Sequence, residues 1–179
     1  LYIVLFRNTY LAMNLATITY FFLAGIGRYF LFLSFSDNKK GAFIAAIVYM
    51  LNGYMHTFVI RGNLNVLAGY ALIPFAFLFF AKSLQSNLIR NSIFSGFFIA
   101  LQIFAGGTLL IPYEIILFLT YGLFYLFGKN LFSRALKIIF AGVIIALVGF
   151  GMSAIKLLPG LEFIKLSNRG SGISYQEYL

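Results

Sequence analysis

The chain contains no cysteine, no tryptophan, one histidine and only four acids among 179 residues. Without cysteine there are no disulfides, no thiolate nucleophile and no sulfur-ligated metal. One histidine and four scattered carboxylates, Asp37, Glu114, Glu162 and Glu177, are too few for an all-protein metal cage. No cofactor is expected, and whether a divalent metal takes part is left open. Charged residues make up 9% of the chain, against about a quarter in soluble domains.

What fills the chain is hydrocarbon. Apolar residues make up 62%, phenylalanine alone accounts for 23 positions, and the mean hydropathy is +0.97. Such a composition cannot be covered by so few charges in water, so the expected class is an all-α, polytopic transmembrane bundle. Thirteen bases against four acids give a net charge of +9. Nucleic acid is not the expected partner, because no soluble basic face exists to follow phosphates. Membrane lipids are. The start is apolar but has neither a basic lead nor a small-residue cleavage site, so it does not read as a secretory signal.

Runs near the 20-residue span length predict six helices: Tyr10 to Phe35, Gly41 to Ile60, Leu64 to Ala81, a short one at Ser92 to Gly106, Ile111 to Gly128, and Ile138 to Leu158. The expected organisation is a bundle over 1–158 followed by an extracytoplasmic segment over 159–179, the whole being a piece of a longer chain. Lys39, Lys40, Lys82, Arg90, Lys129, Arg134 and Lys137 all fall in connections at one end if the spans alternate. The positive-inside rule makes that end cytoplasmic in a bacterial-type plasma membrane. Both ends of the chain then lie on the outer side.

The outer side collects the candidate site residues. Arg61-Gly-Asn63-Leu-Asn65 puts a guanidinium and two amides at one helix mouth, a fork suited to phosphate, or else an interfacial anchor beside a turn. His56 lies about one turn earlier. Glu114 follows Pro112-Tyr113, where a carboxylate is favoured by a helix N-terminus and costly in lipid. Lys156 precedes an expected break at Pro159-Gly160, beyond which come Glu162, Lys165 and Arg169. Lys156 and Glu162 either neutralise each other across that break or join Arg61 and Arg169 in a basic rim for an anionic ligand. Glycine pairs at 25/27, 106/107 and 149/151 are expected at turns or close helix approaches.

The run Gly151-Met-Ser-Ala-Ile-Lys-Leu-Leu-Pro-Gly-Leu-Glu-Phe-Ile-Lys-Leu-Ser-Asn-Arg-Gly170 resembles the YfhO family of bacterial membrane proteins. That family shows Ser-Ala-x-Gln-Leu-Leu-Pro-x-x-Glu and a following Ser-x-Arg. Arg61 to Pro74 and Leu101 to Gly107 with Tyr113 are similar to two further family segments, with Asn63 and Gly107 where histidines are common and Lys156 in place of glutamine. The resemblance implies a GT-C-type glycosyltransferase, which moves a sugar from a polyprenyl-phosphate carrier to an envelope glycan acceptor on the outer face. It also implies a catalytic carboxylate in a first outer loop upstream of this chain, with Arg61, Lys156 or Arg169 stabilising the departing phosphate. A lipid transporter or flippase, and a non-catalytic scaffold, are the rival readings.

Overall fold

The computed structural model describes residues 8–128 and 130–166, with only the helical backbone at 164–166. Seven α-helices follow one another: α1 Thr9–Leu33, α2 Lys39–Met50, α3 Gly53–Ile60, α4 Leu64–Gln85, α5 Leu88–Ala105, α6 Ile111–Leu126 and α7 Leu131–Leu166. A short 3₁₀ turn, Thr108–Leu110, leads into α6. With α2 and α3 taken together, six helical stretches are long and apolar enough to cross a membrane. The expected all-α, six-span, multi-pass membrane bundle is therefore observed, and no strand occurs among the described residues.

Buried residues make up 56% of the apolar window of α4 but 17% of the window containing α6. Helix α4 is thus the axis of the bundle, packed by α1 on one side and α5 on the other, while α7 lies against α5. Small residues permit these approaches. A Cβ on Gly69 would stand 2.9 Å from the Cα of Gly107, and one on Gly96 would stand 2.9 Å from the carbonyl of Ile145. Gly25 meets Met50, Gly27 meets Phe75 and Gly149 meets Ile99, but Gly151 faces open space and has no such role.

Two turns are fixed by glycine. Gly62 and Gly106 take positive φ, 67° and 91°, right after α3 and α5. In each case the next amide reaches back to the carbonyl five residues earlier, Asn63 to Phe58 at 2.9 Å and Gly107 to Gln102 at 2.9 Å. A residue with a Cβ would be strained there, and the loop closes orphan helix carbonyls inside or beside lipid.

Two expectations fail, and one that is met is met more fully than its length suggested. The second span is not one helix: it breaks at Leu51-Asn52. Pro159 does not end the last helix, which runs on to Leu166. A proline removes one helical hydrogen bond and kinks a helix without having to stop it, and Pro159 is exposed, so its ring meets no packed neighbour. The short fourth span proves to be a full helix, Leu88–Ala105, one of the best packed in the bundle.

Candidate functional site

The break in the second span is where polar side chains gather. Asn52 holds both of its edges. Its Oδ1 accepts from the amide of Met55 at 2.9 Å and caps α3, while its Nδ2 donates to the Tyr49 carbonyl at 2.6 Å at the end of α2. The same Nδ2 donates to the Tyr70 hydroxyl at 3.0 Å. His56 Nδ1, which then carries the proton, donates to the Asn52 carbonyl at 3.0 Å. Irregular backbone in a membrane is tolerated only when its groups are met in this way.

Helix α4 supplies the rest. Pro74 has no amide hydrogen, so the carbonyl four residues earlier, that of Tyr70, loses its helical donor. The Tyr49 hydroxyl replaces it, donating to Tyr70 O at 3.1 Å. The two rings stack with centroids 4.8 Å apart, and Tyr54 leans on Tyr70 at 5.4 Å.

Beside this platform lies Arg28, five residues before the end of α1 and half-buried. Its guanidinium stands 5.9 Å from the Tyr49 ring centre. It makes no hydrogen bond or ion pair among the described residues, so its donor fork is open. A groove of about 640 Å³ runs past it, lined by Arg28, Tyr49, Asn52, Tyr54 and Tyr70 together with the hydrocarbon of Phe32, Ile44 and Val48. The arrangement offers a planar cation for an anion, aromatic faces and an amide for a polar ring, and hydrocarbon for a chain.

The residues singled out from the sequence are not gathered there. Arg61 caps the end of α3 and is exposed, and Asn63 follows it in the Gly62 turn, also exposed, with no side-chain bond to α4. His56 packs edge-on against Phe21 of α1 and braces Asn52, so it supports the break. The 61–65 loop does meet the 106–107 turn, with Asn65 packed on Gly106.

Lys156 is neither buried nor paired with Glu162. Its ammonium donates to the carbonyls of Ile103 at 2.8 Å and Phe104 at 3.0 Å. It is a cation on the negative end of α5, where the last carbonyls lack helical donors. On a continuous helix six residues place two side chains roughly 120° apart, so Lys156 and Glu162 point different ways. Glu162 is exposed and forms no ion pair among the described residues. Arg169 lies outside the described residues, and at position 165 only the backbone is described.

Glu114 does face protein. It is 2% exposed in the first turn of α6, and its Oε1 accepts from Gln102 Nε2 at 2.7 Å. Glu114 Oε2 and Gln102 Oε1 are buried without partners. Arg28 and the break carried a signal that sequence reasoning passed over: a lone base inside a span, and an Asn-Gly pair inside an apolar run. Gln102 carried none, since its meaning depends on Glu114 arriving opposite it. No family model, curated protein or solved structure matches the chain.

Proposed function

We propose that the chain is the carrier-binding part of a polytopic membrane glycosyltransferase of the GT-C type, similar to the YfhO family in the segments quoted above. Its donor is a polyprenyl-phosphate-linked sugar and its acceptor an envelope glycan. The observation that supports this reading is the open guanidinium of Arg28 in a groove that also offers tyrosine faces and hydrocarbon. Arg28 holds the phosphate, Tyr54 and Tyr70 flank the sugar, and Phe32, Ile44 and Val48 line the path of the isoprenoid chain. As the glycosidic bond breaks, negative charge grows on the departing phosphate, and a cation fixed nearby in low dielectric stabilises it. Among the described residues no carboxylate lines the groove, so the acid–base step is assigned to none of them. The base-rich helix ends, with Lys39, Lys40, Lys82, Arg90, Arg134 and Lys137, lie on the cytoplasmic side by the positive-inside rule, so Arg28, five residues from one of them, binds the phosphate in the inner half of the membrane and not at the outer rim expected from the sequence.

A second reading, a transporter of such a lipid, is favoured by one observation. The span at α2–α3 is discontinuous and its break faces the groove, as in transporters whose broken helices line a substrate path. The test uses membrane vesicles bearing the full-length protein and a radiolabelled polyprenyl-phosphate sugar. Label passing to a glycan acceptor, and lost in Arg28→Gln, supports the transferase. Label that crosses the bilayer unaltered, again dependent on Arg28, supports the transporter. Turnover or crossing that Arg28→Gln leaves unchanged removes the groove from either mechanism.

A further inference from the structure

Two further grooves meet at the start of α5, where they share Leu88 and Ile89. One, of about 550 Å³, lies against α7 and is lined there by Lys137, Phe140 and Ile144 among others. The other, of about 570 Å³, is lined by Arg90, Ile93 and Phe94. Each groove has one base, and among the described residues no acid lines either. We propose that the two together seat one anionic diacyl phospholipid of the cytoplasmic leaflet, with its phosphate between Lys137 and Arg90 and one chain on each side of Ile89.

The register of the two helices brings the bases to one end. Helices α5 and α7 run the same way, and their contacts join residues roughly fifty positions apart. A Cβ on Gly96 would meet Ile145 and Val148, and the Lys156 ammonium reaches the carbonyls of Ile103 and Phe104. Both helices rise about 1.5 Å per residue, so the same offset sets Lys137 beside the start of α5, about one turn from the level of Arg90. It also sets Phe140 and Ile144 level with Ile89 and Ile93, deeper in the span. Each groove thus has a cation at the helix end and hydrocarbon inward. Neither cation is used within the chain. Lys137 and Arg90 are exposed and make no hydrogen bond or ion pair among the described residues, and Arg90 only leans over the Phe94 ring at 5.9 Å. Arg134, by contrast, is held by the Tyr125 carbonyl. A phosphodiester has two free oxygens, one for each base, whereas a zwitterionic head group brings a cation that the bases repel. Basic pockets between helices on the cytoplasmic side suit anionic head groups for this reason. Two apolar grooves under one head ask for two chains. The reading uses no residue of the Arg28 groove.

The test is native mass spectrometry of the full-length protein in detergent. It is titrated with phosphatidylglycerol, with phosphatidylcholine of the same chains and with the single-chain lysophosphatidylglycerol. One phosphatidylglycerol per chain is expected, roughly tenfold tighter than either of the others. The double variant Arg90→Gln/Lys137→Gln should lose about tenfold. Lys39→Gln/Lys40→Gln removes the same charge from the same end but outside both grooves, and should lose less than about threefold. All four side chains are exposed, so both variants are expected to fold. Arg28→Gln should leave phosphatidylglycerol binding unchanged, which keeps this site separate from the carrier groove. Equal losses in the two double variants would show a diffuse attraction to the basic end and overturn the proposal. Equal binding of phosphatidylcholine, or of the single-chain lipid, would overturn it too, the first by removing the role of charge and the second by removing the need for two grooves.

Discussion

At the α2–α3 break a guanidinium faces a groove beside side chains that brace one another; at the α5–α6 contact Glu114 and Gln102 are walled in, joined by one hydrogen bond, with one oxygen of each left without a donor. Asn52 alone makes three hydrogen bonds, to Tyr49, Met55 and Tyr70. Gln102 makes one, to Glu114. The first arrangement is a braced frame, because Asn52 bonds both edges of the break and Tyr49 replaces the backbone bond lost at Pro74. The second is an incomplete set of acceptors. In a membrane the first arrangement leaves a cation facing a groove, while the second turns its polar atoms toward each other and away from lipid.

The comparison can be broken most sharply at Gln102. Gln102→Leu strips the last partner from a buried carboxylate and should lower stability by about 3 kcal/mol. Adding Glu114→Leu should restore most of that loss, as measured by unfolding in detergent micelles. Failure of the double variant to recover would show that the pair is not held together by this one bond. At the break, Asn52→Ala removes the cap of α3 and both amide bonds, and a loss of about 2 kcal/mol is expected in the same assay. A smaller effect sharpens the role of Pro74. Tyr49→Phe should cost about 1 kcal/mol in the native chain, but nothing in a Pro74→Ala background, because the restored amide of residue 74 then serves Tyr70 O itself. Equal costs in both backgrounds would separate the tyrosine from the proline.

Much of the architecture was legible because hydropathy is an averaged property. Six spans survive errors of a few residues at each end, and glycine at 62 and 106 announces turns that need positive φ. The same averaging hid the break: Asn52-Gly53 is a turn pair, but the hydrocarbon on both sides swamps it. Pro159 misled in the other direction. It was read as a stop, yet one missing amide does not end a helix, and α7 continues for seven residues. Pairs were the least legible. Lys156 meets residues more than fifty positions away, and only the packing of α7 on α5 shows that its ammonium caps a helix. Arg28 was visible as a base within a span, but the tyrosine platform beside it comes from α2 and α4 and depends on Pro74 in the latter.

The most direct test of the central claim is equilibrium binding of a polyprenyl phosphate to the full-length protein in phosphatidylcholine nanodiscs, with Arg28→Gln compared with Arg61→Gln. Both variants remove one guanidinium, but only Arg28 lines the groove. The account predicts a loss of at least tenfold for Arg28→Gln, in line with a charge-assisted contact in low dielectric, and less than about threefold for the exposed Arg61. The reverse order, with Arg61 dominant and Arg28 indifferent, would contradict it and return the carrier to the outer rim.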